Sequence, residues 1–383
     1  MAVKYANLLS NGRIGDYDIP NRMIMAPMTR FRVTTEGVPE KSNALYYSQR
    51  ASAGLMICES LYVEPRGIQE AVTAGIYSDE QIEGWRYVTD QVHSEGGLIF
   101  AQLAHAGRLS HPTFQPDGAL PIAPSAIAEG VMSRLNDPET GEIIYAPAVT
   151  PRAMETDEVR EMVQEYKRAA LRARKAGFDG VEIHCGSGHL HRQFLQASTN
   201  FREDEYGGSI ANRCRFLIET LEAIIPELGS GKVGVKISPN FAYNGMTGTH
   251  EETLETYEYL CNALMPFNLA YLYVQNPVWN MFFGPEDYDP IVHIREHYSN
   301  TLLGGGELDR DSGEAALASK TCDYIVFGRR FIANPDLPKR IAIDAPENAW
   351  DDETLYTPGD SGFTDYTTMD EEAAAAAAAS ASA

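Results

Sequence analysis

Short apolar runs alternate with longer amphipathic stretches along this chain. Eight runs stand out, at 23–27, 54–59, 98–103, 180–184, 233–238, 269–275, 301–306 and 323–328. They are nearly continuous in apolar residues, which is the pattern of strands buried on both faces. The intervening segments change period. In 156–176, Val159, Met162, Tyr166, Ala169, Leu171 and Ala176 recur at steps near three and four, and in 212–228 Phe216, Leu217, Leu221 and Ile224 do the same. Such spacing predicts helices with one buried face. Buried strands joined by helices pair in parallel through right-handed crossovers. Eight such units predict an α/β fold, a closed (β/α)8 TIM barrel. The alternative is an open doubly wound sheet, which would place a glycine-rich turn after its first strand. Here the first run ends in Ala26-Pro-Met-Thr-Arg30, which is unsuited to that turn.

Two regions break the alternation. Residues 104–152 are rich in Pro, Gly and Ser and predict a long loop insertion over the catalytic face, with a hairpin around 137–144. Residues 367–383 are acidic, then alanine-rich, with no amphipathic face. We expect 1–366 to form a single domain and the tail to be disordered.

Composition narrows the function. A length of 383 residues suits one barrel with extensions. No run of about 18 apolar residues is present, so no membrane span is expected, and the first residues lack an apolar signal core. Cys58, Cys185, Cys214, Cys261 and Cys322 are scattered and odd in number. They read as free thiols of a cytoplasmic protein, without metal-binding spacing. A net charge of −23 argues against a nucleic-acid surface. An anionic cofactor would have to be held locally, by backbone amides and a few cations.

Candidate chemistry gathers where the runs end, the face that carries chemistry in such barrels. Gly304-Gly-Gly306 closes one run and Gly328-Arg329 closes the next. Glycines let backbone approach an anion, while helix N-terminal amides and an arginine meet its charge. This predicts a phosphate site in the last two units. Gln102 ends an otherwise apolar run, and an amide there can both donate and accept. Lys236 lies inside a run, and a buried lysine needs an anionic partner. The polar stretch from His184 to His191 follows Gly180-Val-Glu-Ile183. His184, His189 and His191 have no further ligand at a metal-site spacing, so no metal is expected.

Taken in order, these strand ends resemble the Old Yellow Enzyme family of FMN-dependent ene-reductases, which includes the 12-oxophytodienoate reductases. The markers are Asn21-Arg-Met-Ile-Met-Ala-Pro-Met-Thr-Arg30, Glu59, Gln102 with His105-Ala-Gly-Arg108, the stretch 184–216, Gly304–Gly306, and Gly328-Arg329 with Asn334-Pro-Asp-Leu-Pro338. The resemblance implies FMN as cofactor, NAD(P)H as reductant and the activated C=C bond of an α,β-unsaturated carbonyl compound as substrate. It implies cofactor contacts from Pro27, Met28, Thr29, the backbone of Ser60, Gln102, Lys236, Gly305, Gly306, Gly328 and Arg329. Tyr356 matches an aromatic placed over the substrate. Ala104 stands where many members carry tryptophan, implying extra room for substrate. Phe31, Trp279, Phe282 and Phe283 are further lining candidates. The chain would act on a small molecule as a monomer or homodimer.

The sequence departs from the family at the substrate. His184 is kept, but Ser187 replaces the second oxygen-binding Asn or His, and His189 replaces the proton-donating tyrosine. His189 can serve as the acid, orient substrate together with Ser187, or only fill space. Three functions therefore remain open: alkene reduction, a redox-neutral flavin-dependent isomerisation or dehydrogenation, and a non-catalytic flavoprotein.

Overall fold

The computed structural model describes residues 3–128, 132–136, 143–276, 284–285 and 288–381. All eight runs are strands, numbered here as barrel strands only. They are β1 (Met23–Met25), β2 (Leu55–Tyr62), β3 (Ile99–Ala104), β4 (Gly180–Cys185), β5 (Val233–Ile237), β6 (Tyr271–Gln275), β7 (Leu302–Gly305) and β8 (Tyr324–Phe327). Each pairs in parallel with the next, β8 returns to β1, and the sheet closes. Helices follow the strands and wrap the outside. The helix Thr156–Lys175 shows why they form. Asp157 and Glu158 lie in its first turn and Arg172, Arg174 and Lys175 in its last, matching the helix dipole. Its buried stripe is Val159, Met162, Val163, Tyr166, Ala169, Ala170 and Ala173.

Two apolar layers result. The outer one lies between helices and strands. The inner one fills the barrel with Ile24, Leu55, Ile57, Phe100, Tyr271 and Leu303, among others. An antiparallel hairpin, Gly12–Ile14 with Tyr17–Ile19, packs Ile14 and Ile19 into that inner layer. The inner layer is thus closed by side chains at one end, and polar groups concentrate at the other.

The insertion contains an antiparallel strand pair, Met132–Asn136 with Ile143–Pro147. The expected hairpin exists, and its turn lies outside the described residues. The tail differs from expectation: Met369–Ala381 is a helix. Alanine favours helix, Asp370, Glu371 and Glu372 sit in its first turn, and Lys339 binds Asp370 at 2.6 Å while Arg340 binds Glu372 at 2.5 Å. Tethering at that end supplies the nucleus that composition alone does not reveal.

Three arginines tie the C-terminal segment to the start of the barrel. Arg30 donates to the carbonyls of Leu355 (3.2 Å) and Gly362 (2.9 Å). Arg32 donates to those of Gly359 (2.8 Å), Thr354 (2.7 Å) and Ser361 (2.9 Å). Arg50 reaches Phe363 O at 3.3 Å. This bolts Tyr356 above the strand ends.

Candidate active site

A cleft of about 370 Å³ opens at the C-terminal ends of the strands. Pro27, Met28 and Thr29 enter it after β1, Ser60 and Tyr62 from β2, and Gln102 from β3. His184 enters from β4, Ser187 and His189 from the following loop, Lys236 from β5 and Gln275 from β6. Sequence positions spread over more than 200 residues thus meet because the sheet closes on itself.

Lys236 is 6% exposed, and among the described residues its ammonium makes no hydrogen bond. It stands beside His184 in the strand register and 5.3 Å over the Tyr273 ring. Burial pulls its pKa down to about 8, against the attraction of Glu182. A buried cation facing a cleft, with its hydrogen-bond donors free there, fits an electron-rich ligand. Beside it, Gln102 Nε2 donates to Glu182 Oε1 at 2.7 Å, and Ser60 Oγ donates to Gln102 Oε1 at 2.6 Å. Beyond the backbone contact expected of Ser60, its hydroxyl holds Gln102, because the two residues are register partners on adjacent strands. Burial pushes the Glu182 carboxyl up to about 7, with Lys236 opposing.

The imidazoles of His184 and His189 lie 4.0 Å apart, tilted by 31°. His184 Nδ1 accepts the Gly186 N–H at 3.3 Å, which leaves the proton on Nε2 as a donor. Burial holds His184 well below its ordinary pKa, helped by His189. Burial, then Lys236, brings His189 down to about 3. Both rings are neutral at pH 7. Ser187 has a left-handed backbone, φ +50°. Its N–H donates to Ser238 Oγ at 2.8 Å and its hydroxyl to Gln275 Oε1 at 3.3 Å. His191 is turned away, stacked on Phe216 at 4.3 Å.

The glycines and Arg329 adjoin the cleft without lining it. Gly305 pairs in register with Gln275; a Cβ there would lie 2.8 Å from the Tyr273 ring and 2.9 Å from Val326 Cβ. A Cβ on Gly328 would meet Met28 Sδ at 3.4 Å, and one on Gly306 (φ +150°) would meet Asn276 Cβ at 2.9 Å. Bare backbone therefore borders the cleft at its Met28 and Gln275 side. Arg329 is at hand, held by Glu307 at 3.0 Å and stacked on Trp350 at 4.9 Å.

The outer wall is only partly foreseen. Phe31 and Tyr356 line the cleft, edge to face at 5.9 Å. Phe31 sits at φ +53°, a rare conformation for a bulky residue and one that collects at functional sites. Arg134, on the insertion, pairs with Glu70 at 3.0 Å and stacks 4.3 Å over Phe31. Tyr62, Glu70, Arg134 and Tyr145 also line the cleft, and sequence reasoning missed them. Only Tyr62 left a signal, two residues beyond Ser60 on the same strand and hence on the same face. Ala104 does not reach the cleft. It is fully buried beside Ala106 and Leu109, and its register partner Tyr62 takes the lining position. Trp279, Phe282 and Phe283 lie outside the described residues.

Among the described residues, Glu258, His293 and His297 bring ligand atoms within 4.8 Å of one another. They sit on the outer helices His250–Leu264 and Pro290–His297, not in the cleft. No helix among the described residues is long and apolar enough to cross a membrane.

A closed parallel barrel with a mixed donor, acceptor and cation set at its strand ends, and bare backbone beside it, defines a cofactor-dependent barrel enzyme. The model of the NADH:flavin oxidoreductase / NADH oxidase family matches residues 12–348. The chain belongs to that family. It is 36% identical over 367 residues to 12-oxophytodienoate reductase 1 of Oryza sativa subsp. japonica, covering 95% of this chain and 93% of that protein. It is 39% identical over 357 residues to a probable flavin mononucleotide-dependent alkene reductase of Leishmania infantum, covering 93% and 96%. Among solved structures, morphinone reductase superposes with a TM-score of 0.90 at 40% identity, covering 96% of this chain and 98% of that one.

Proposed function

We propose that the protein reduces the activated C=C bond of α,β-unsaturated carbonyl compounds, using FMN and NAD(P)H. The observation that carries this is the buried Lys236, its ammonium without a hydrogen bond among the described residues, beside two neutral histidines in the strand-end cleft. When bound, FMN would supply the hydride to the alkene's β-carbon, and water or a neighbouring residue would supply the proton that completes the reduction at the α-carbon. The residues present fit that cofactor. Lys236, Gln102 and Thr29 offer a cation, an amide and a hydroxyl for its pyrimidine edge. Gly305, Gly306, Gly328 and Arg329 offer backbone and charge for its phosphate.

His184 and His189 then hold the substrate oxygen. Their N–H groups stabilise the negative charge that develops on it. His189 orients substrate rather than acting as an imidazolium acid, because a ring with a pKa of about 3 carries no extra proton at pH 7. Five free, buried cysteines support a reducing, cytoplasmic setting, and the charge of −23 supports the absence of a nucleic-acid partner. We read 1–366 as one catalytic unit, acting as monomer or homodimer.

The test is anaerobic. The purified protein should carry FMN, NAD(P)H should bleach it, and 2-cyclohexenone should restore its yellow colour. Flavin that stays reduced while substrate is consumed would make the protein an isomerase. A colourless protein unable to bind FMN would remove the proposal.

A further inference from the structure

Three adjacent strands place polar side chains on one level of the barrel. The register pairs Ser60 with Gln102 and Gln102 with Glu182. The hydrogen bonds follow the same line, Ser60 Oγ to Gln102 Oε1 at 2.6 Å and Gln102 Nε2 to Glu182 Oε1 at 2.7 Å. An amide can be placed in two ways, and here the neighbours choose between them. When Glu182 is ionised it can only accept, so the Gln102 NH2 then faces Glu182 and its oxygen faces Ser60. One N–H and one lone pair of Gln102 then remain for the cleft that it lines.

Glu182 itself does not line the cleft. It is fully buried, and its Oε2 has no hydrogen-bond partner. Lys236 is the cation that attracts it most, and the Tyr271 hydroxyl lies nearby. The site chemistry described so far gives this carboxyl no task, although a buried, half-satisfied carboxyl is costly to keep. Its two neighbours are the amide and the cation assigned to the flavin's pyrimidine edge.

We propose that Glu182 is a positioning residue that fixes the orientation of the Gln102 amide and, by sharing the charge of Lys236, lowers the reduction potential of bound FMN. This rests on the flavin reading above. Reduction would add negative charge at the edge assigned to Lys236, and the carboxylate that interacts with Lys236 opposes that charge. Removing the carboxylate charge should therefore favour the reduced cofactor.

Two substitutions separate the parts of this role in the FMN-loaded protein at pH 7.5. Glu182→Gln keeps an oxygen that can accept from Gln102 but removes the charge. Its affinity for oxidised FMN should stay within threefold of wild type. Its preference for reduced over oxidised FMN should rise about tenfold, a midpoint increase of about 30 mV for a two-electron couple, read by dye-coupled reductive titration. Glu182→Leu removes the acceptor, leaves the Gln102 amide free to turn, and should weaken FMN binding at least tenfold, read by quenching of FMN fluorescence. A preference in Glu182→Gln unchanged within twofold overturns the proposal, whatever Glu182→Leu does. If the wild type binds no FMN, the flavin reading fails first; if the wild type binds it and the preference stays put, this inference alone fails.

Discussion

Glu59 offers a stability experiment independent of catalysis. It lies on β2, 1% exposed, and neither carboxyl oxygen has a hydrogen-bond partner among the described residues. Arg30 and Arg32 are near, but their guanidiniums are turned to the carbonyls of 354–362. Burial therefore dominates and pushes the carboxyl from 4.5 up to about 7, with the two arginines only partly opposing. The sign follows from linkage. Below the unfolded pKa, both states hold the proton and the group's full contribution is present. As pH rises towards 7, the unfolded chain releases the proton while the folded chain keeps it, so stability falls. The total loss is roughly 3 kcal/mol at 1.36 kcal/mol per tenfold. With an unfolding entropy of about 2.1 cal/mol/K per residue, this is a drop of about 4 °C in Tm. Glu59→Gln has no proton to lose and should escape the drop. Scanning calorimetry of both proteins with saturating FMN, from pH 4.5 to 8, should show the variant gaining about 4 °C on the wild type, most of it between pH 5 and 7. Parallel Tm curves across that range would refute the argument.

Two shorter predictions concern the loop after β4. Ser187→Asn should raise thermal stability by roughly 0.5–1 kcal/mol, because asparagine tolerates the left-handed conformation at this position better than serine; an unchanged or lower Tm counts against that reading. His189→Phe should keep FMN and lower kcat/KM for 2-cyclohexenone about tenfold, as one hydrogen bond to the developing charge is removed. If instead reoxidation of the reduced flavin by the alkene slows by about 10²–10⁴-fold, the effect of a lost general acid, histidine is the acid after all.

The barrel was legible because each of its strands is buried on both faces, so each reads as an unbroken apolar run. The glycines and the Gly-Arg pair were visible as strand ends, and the structure places them beside the cleft rather than in its lining. The outer wall was not legible. Arg134 meets Glu70 across 64 residues, and no local pattern announces a contact made when an insertion folds back over the strand ends. Ala104 was misplaced because likeness to other sequences assigns a position but not an occupant. Here Tyr62, one strand away, fills the space. Glu182 was visible as a letter inside Val-Glu-Ile but carried no signal, because its meaning lies in the register with Gln102.

The arginine anchors have a further consequence. Arg30, Arg32 and Arg50 grip residues 354–363 by carbonyl oxygens, and every amino acid supplies one. The strap over the cleft is therefore held largely by groups every residue supplies, with Phe363, fully buried and stacked on Tyr46 at 4.3 Å, as its side-chain anchor. Tyr356, 48% exposed, can be exchanged while the strap stays in place. Mutation, natural or in the laboratory, can thus rewrite what this wall recognises without rebuilding what supports it.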